Sequence, residues 1–234
     1  MAKNLFKALV FFLLAVIGGV FAELVIWPYL LTKPLFNRYQ IFRPSVYLTQ
    51  TQQVIVQENT ALQDAVSKVA NTVIGVKTKS GTNSFISGSG LIVTNDGLVI
   101  TLSSLIPQGK TFYFYIDNKS QEYQVLRRDS QTNLVLVKLG ASGLATAGFA
   151  DFADLKLGER VFLVKAGETQ QTVNEGIISS LLENEIATNI FETSQANGSP
   201  LFDISGNIVG LVQVSANGQV KAVPSSKIRS FLGF

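Results

Sequence analysis

Ile86-Ser87-Gly88-Ser89-Gly90-Leu91-Ile92-Val93-Thr94-Asn95-Asp96-Gly97-Leu98-Val99-Ile100-Thr101-Leu102-Ser103-Ser104 is the stretch whose reading decides the fold. Two apolar, β-branched runs flank Asn95-Asp96-Gly97, and an Asp-Gly pair supplies the positive φ values of a tight hairpin turn. Gly88 and Gly90 open the first run, where a missing Cβ permits a bulge or a close backbone approach. Taken alone, the pattern predicts a β-hairpin.

Outward from the hairpin, composition bounds the chemistry. The 234-residue chain is long enough for an anchor plus one sizeable domain, or for two packed barrels. It contains no cysteine and no histidine. The first absence excludes a disulfide framework and thiolate metal sites; the second removes the usual zinc ligand and the usual general base near neutral pH. The formal charge of +3 is unevenly placed: residues 1–44 carry +4, and the remainder carries −1. The basicity therefore belongs to the flanks of an apolar N-terminal segment, which argues against a phosphate-binding surface and against a nucleic-acid partner.

Residues 8–31 form a nearly continuous apolar run, interrupted by Glu23 and softened by Gly18, Gly19 and Pro28. As a helix they would span roughly 36 Å, enough to cross a bilayer. Trp27 and Tyr29 suit the interfacial belt. The competing reading is a cleaved signal peptide, with Lys3 and Lys7, an apolar core, and cleavage after Ala22. Residues 33–57 read as a tether, with Pro34 and Pro44 opposing helix. A short helix follows, with Thr60 and Gln63 at capping-box spacing and Leu62, Val66, Val69 and Val73 on one stripe.

Beyond Asn71 the pattern changes to strands. Six are expected at residues 73–78, 90–94, 98–102, 111–116, 122–127 and 134–139, spaced as in a small antiparallel barrel. A second set is expected at residues 160–165, 172–181, 187–192, 208–214 and 219–222, and Pro224-Ser225-Ser226 starts a short helix with Ile228, Phe231 and Leu232 inward. On residues 112–115 the aromatics alternate faces, so half belong to the core. Asp151, Asp154 and Glu159 fit no calcium-loop spacing and read as a solvated face. Asn118-Lys119-Ser120 and Asn197-Gly198-Ser199 match the glycosylation sequon, which matters only in a eukaryotic secretory setting.

Several blocks in order resemble trypsin-like serine proteases of the HtrA/Deg type, over most of residues 58–234. The opening hairpin is similar to the one that delivers the family's catalytic histidine. The run Arg128-Asp129-Ser130-Gln131-Thr132-Asn133-Leu134-Val135-Leu136 is similar to the stretch that carries its aspartate. Residues 149–161 are similar to the segment that opens the second barrel, and Val173-Asn174-Glu175-Gly176-Ile177-Ile178-Ser179 is similar to a following strand. Gln195-Ala196-Asn197-Gly198-Ser199-Pro200-Leu201 resembles the nucleophile loop, whose family pattern is Gly-Asn-Ser-Gly-Gly-Pro-Leu.

The resemblance implies an all-β fold: a double six-stranded antiparallel barrel with an N-terminal transmembrane helix and short flanking helices. The domains would be residues 1–32 (stub and anchor), 33–57 (tether), 58–145 (first barrel) and 146–234 (second barrel). It also places the triad at Ser104, Asn133 and Asn197, and none of the three can do the family's chemistry. A hydroxyl nucleophile needs a base, normally imidazole, and a carboxylate to orient that base. Gln195 stands where the family has the glycine that opens the oxyanion hole. Ser199 is the one substitute nucleophile in reach, with Lys165 and Lys221 as nominal bases, although no spacing supports the pairing. No cofactor or metal is expected. The sequence thus predicts an inactive homologue, held in the membrane through residues 8–31 with its barrels outside the cytoplasm, or secreted if the signal is cleaved. It would lack the PDZ domain that follows the barrels in many HtrA-type relatives, and it would bind a protein or extended peptide. A divergent serine endopeptidase and a structural subunit of an envelope complex are the alternatives.

Overall fold

The computed structural model describes residues 2–26, 50–82, 84–167 and 170–233. Met1–Gln52 and Gln53–Phe234 separate into two compact units. In the first, helix α1 (Ala2–Phe21) gives way to a five-residue π-helical turn, Ala22–Ile26. The helix expected over residues 8–31 is described as far as Ile26. Its winding changes beside Glu23, just after the weak helix formers Gly18 and Gly19, and residues 27–31 lie outside the described part. Among the described residues no helix is long and apolar enough to cross a membrane.

Helix α2 (Gln50–Val69), whose residues from Gln53 onward belong to the second unit, begins ten residues before the expected capping box, so Thr60 lies inside the helix and the last residues of the expected tether are helical. The remaining residues of that tether lie outside the described part. No proline or glycine interrupts residues 50–69, so nothing in the sequence stops the helix earlier. The expected stripe holds for three of its four residues, with Val69 fully buried and Leu62 and Val66 packed against the core, while Val73 lies in the first strand. A 3-10 turn (Ala70–Thr72) then delivers the chain into the first strand.

Thirteen strands follow among the described residues. The first sheet comprises β1 (Val73–Lys79), β2 (Phe85–Ile92), β3 (Leu98–Leu102), β4 (Phe112–Ile116), β5 (Lys119–Gln121), β6 (Tyr123–Asp129) and β7 (Leu134–Leu139). Its order is β5-β4-β1-β2-β3-β7-β6, with every pairing antiparallel. The expectation of a closed six-stranded first barrel is corrected: this half is a curled seven-stranded sheet. Its two ends approach through side chains, with the Tyr123 ring 4.7 Å from Phe112 and 5.3 Å from Phe114. The extra strand, β5, arises because Asp117 and Asn118 both take positive φ (48° and 64°), a two-residue turn that pairs Ile116 with Lys119.

The second half does close. Strands β8 (Arg160–Ala166), β9 (Gln171–Leu182), β10 (Glu185–Phe191), β11 (Pro200–Asp203), β12 (Ile208–Val214) and β13 (Gln219–Pro224) form a barrel in the order β10-β13-β12-β11-β8-β9. Strand β8 shows why its sequence reads as an unbroken apolar run, since both of its faces are covered. Val161 and Leu163 point into the barrel, while Phe162, Val164 and Ala166 point into the seam shared with the first sheet. There the Phe162 and Phe202 rings stack at 5.5 Å. Burial of each such ring contributes about 2 kcal/mol by transfer from water. Helix α3 (Ser225–Leu232) closes the chain with Ile228 and Phe231 buried and Gly233 as a left-handed cap.

The deciding hairpin forms with a different turn from the expected one. Gly97 alone has positive φ (94°), its N–H donates to the Thr94 carbonyl, and the Val93 N–H to Leu98 carbonyl bond closes a four-residue loop. Thr94 accounts for this, because its hydroxyl bonds both the Asp96 carboxylate and the Leu98 N–H and holds the loop open by two further residues.

Candidate functional site

The first two triad positions sit at the ends of neighbouring strands, Ser104 just after β3 and Asn133 just before β7. Asn133 adopts φ 58°, a left-handed conformation that asparagine tolerates better than most residues. That turn aims its side chain across the gap. Its Oδ1 accepts the Ser104 N–H at 3.0 Å, its Nδ2 donates to the Ser104 hydroxyl at 3.2 Å, and its carbonyl accepts the Ser103 N–H at 2.7 Å. The two positions are thus joined, but by an amide and a hydroxyl, with no group present that titrates near neutral pH. Upstream, Asp129 braces the same loop by accepting from the Thr132 hydroxyl and the Gln131 N–H. These bonds, the Thr132 one foremost, hold its carboxyl below the usual aspartate range.

Asn197, at the nucleophile position, follows a 3-10 turn (Ser194–Ala196) and enters a β-turn in which Gly198 takes φ 75° and the Ser199 N–H bonds the Ala196 carbonyl. Three polar groups of Asn197 are committed. Its N–H donates to the Ser194 carbonyl at 3.1 Å, its carbonyl accepts the Ser89 N–H at 2.9 Å, and its side-chain Oδ1 accepts the Val214 N–H at 2.7 Å. The N–H that would help to stabilise an oxyanion is turned back into its own loop. Asn197→Ala is expected to cost about 1–2 kcal/mol by leaving the Val214 N–H unpaired, whereas Asn197→Asp keeps an acceptor and most of the stability. Thermal melts of the two variants check this.

Ser199 lies in the seam, fully buried, and donates to the Ser89 hydroxyl at 3.0 Å. Ser89 is equally buried; its hydroxyl accepts the Ala166 N–H at 3.0 Å and its carbonyl accepts from the Thr101 hydroxyl. The site therefore offers the Ser199 oxygen a hydrogen-bond partner and no base. The nominal lysines are engaged elsewhere: Lys165 pairs with Glu192, and Lys221 pairs with Glu185, each at 2.7 Å. Asp151 caps the 3-10 turn at Phe152–Asp154, and Glu159 accepts the Lys156 N–H. Among the described residues no group of three or more acidic side chains is placed to hold a metal ion.

Two features escaped the sequence reading. One is the Ser89 bridge, which joins residues far apart in the chain; its only advance signal was the bare Gly-Ser-Gly, now explained because a Cβ on Gly88 would lie 2.6 Å from the Asn197 carbonyl oxygen. The other is Glu192, which enters the nucleophile loop and binds Lys165, Asn174 and the Thr193 N–H together. Burial alone would raise its pKa, but the bonds from Lys165 and Asn174 outweigh burial and hold the carboxyl below its usual value.

The architecture, two β units with a loop of the second docked against the first hairpin, agrees with what sequence comparison finds. The family model of the trypsin-like peptidase domain matches residues 88–211. A probable periplasmic serine endoprotease, DegP-like, from Pseudomonas putida (strain W619) is 27% identical over 134 residues, covering 53% of this chain and 28% of the relative. A protein of the same description from Halomonas elongata is 25% identical over 134 residues, with the same coverage. Serine protease HTR4 of Rattus norvegicus is 29% identical over 164 residues, covering 62% of this chain and 33% of the relative. The chain spans about a third or less of the length of these curated relatives. On the match across 88–211, the strand order and the docked loop, the chain belongs to the trypsin-like peptidase domain family, in its HtrA/Deg-type branch.

Proposed function

We propose that this protein is a catalytically inactive member of its family that binds an extended polypeptide segment. One observation carries the reading: Ser104 and Asn133 bond each other through an amide and a hydroxyl, Asn197 bonds Ser194, Ser89 and Val214, and neither a base nor a carboxylate is among these partners. A serine hydrolase mechanism requires a base that takes the hydroxyl proton as the bond to carbon forms. Ser199 does not substitute, because its hydroxyl is buried and donates to Ser89.

Binding needs none of this chemistry. Strand β6 lies at one end of the first sheet, and no described strand pairs with its other edge. Strand addition there would use backbone hydrogen bonds for affinity and alternate side chains for selectivity. The N-terminal segment is read as a membrane anchor. Its support is the exposure of Phe11, Phe12, Leu13, Leu14, Val16 and Ile17, apolar on every side of α1. The periplasmic description of several relatives supports placing the β domain outside the cytoplasm.

The test is incubation of the full chain with unfolded casein. The expected result is binding with no new fragments over hours; fragments that disappear in Ser199→Ala or Ser104→Ala would overturn the reading.

A further inference from the structure

Two open cavities meet beside Asn133. One, about 540 Å³, lies between the end of β6 and helix α3, with Arg127, Arg128, Asp129, Lys227 and Phe231 in its wall. The other, about 440 Å³, is walled by Asn133, Asn184, Gln213 and Lys227. Gln131, Thr132 and Lys227 border both, so they form one groove with a basic end and an amide-lined end.

The basic end is organised. β6 carries a bulge between Val125 and Arg127, which re-aims the residues that follow. The Arg127 guanidinium then lies 4.2 Å above the Phe231 ring, a cation–π contact that holds it beside helix α3. Arg128 is anchored through one nitrogen to the Ser103 hydroxyl at 3.3 Å. The opposing charges are weak. Asp129 turns both carboxylate oxygens to its own loop, and Glu183 stands 3.8 Å from Lys227 with its side chain 88% exposed. The amide end presents donors and acceptors in the same side chains, which is what a peptide backbone requires and what a lone anion does not use.

We propose that this groove binds an extended polypeptide segment with acidic side chains, its carboxylates at Arg127, Arg128 and Lys227 and its backbone along the β6 edge and the amide-lined end. The proposal rests on reading the protein as a polypeptide-binding member of its family, and it names the class of segment bound.

The test uses the full chain and two short fluorescent peptides with blocked ends, one alternating Glu with Val and one alternating Gln with Val. The Glu peptide is expected to bind about tenfold more tightly at low salt, with the preference shrinking as salt screens it. Arg128→Gln combined with Lys227→Gln should remove about tenfold of the Glu-peptide affinity and leave the Gln peptide nearly unchanged, while Lys227→Arg should bind like the parent. If the double variant melts early, the comparison of the two peptides on the parent protein decides. Equal binding of both peptides overturns the acidic preference yet leaves a polypeptide site standing. No peptide binding, with capture of phosphatidylglycerol vesicles that the double variant loses, overturns the proposal and assigns the groove to a lipid headgroup. Cleavage of either peptide counts against catalytic inactivity and leaves the measured preference in force.

Discussion

Gly198→Ala is expected to lower the melting temperature by roughly 10 °C, the largest effect of any single methyl group at the site. An alanine Cβ there would lie 2.2 Å from the Ser89 carbonyl oxygen and 2.6 Å from the Thr101 hydroxyl oxygen, and the backbone would have to keep φ at 75°. The left-handed conformation costs a non-glycine residue about 1 kcal/mol or a little more. The overlap must then push the nucleophile loop away from the first sheet, breaking the Ser89 N–H to Asn197 bond and the Ser89–Ser199 bridge. Together these amount to roughly 4 kcal/mol, and each kcal/mol shifts a domain of this size by about 2–4 °C. Gly109→Ala is the control, because φ there is 77° and nothing lies within 4 Å of the added carbon. It is expected to cost about 1 kcal/mol. Equal melting temperatures for the two variants would mean that close contact between loop and hairpin does not hold the two β units together.

Breaking the Lys165–Glu192 pair gives the second large effect. The side chains are 20% and 10% exposed, so removal of one partner strands the other in a mostly dry setting. Lys165→Met is expected to destabilise by about 2–4 kcal/mol, and Glu192→Gln by less, since the amide oxygen still accepts from Lys165 although the bond from Asn174 to the second oxygen is lost. Acid titration adds a signed test. The carboxyl of Glu192 is held below its usual value in the folded chain. Its contribution is therefore complete above the unfolded pKa of about 4.3 and is lost as pH falls below that value through the folded one. The parent should lose more stability than Glu192→Gln on acidification through that range. Melts in which the two curves run parallel would show that Glu192 does not stabilise the loop entrance as an anion.

Most strands were legible because alternation and turn chemistry agree locally. Residues 98–102, 134–139 and 208–214 carry apolar runs bounded by Gly, Asn or Asp, and their observed limits coincide with the expected ones. β11 was missed because it opens on Pro200, allowed only at a strand's first residue, and runs at once into an Asp-Ile-Ser-Gly turn. The open first sheet was legible only in part. The turn at Asp117-Asn118 reads from its residue types, but the ring contacts between strands distant in sequence that bring the sheet round have no local pattern. At the site, the expected triad positions Ser104, Asn133 and Asn197 come from register with a family motif alone. What holds them could not be read that way: the Ser89–Ser199 bridge is a contact between residues 110 apart, and Glu192 looked like any solvated acid until Lys165 and Asn174 were seen around it.

The central claim is that a protease fold survives here without a protease's chemistry. Intact-mass measurement after treatment of the full chain with a fluorophosphonate tests it most directly, because the reagent modifies only a serine whose proton a neighbouring base removes. The account predicts an unchanged mass, identical to that of Ser199→Ala and Ser104→Ala treated in parallel. A stoichiometric adduct abolished by either substitution would contradict it.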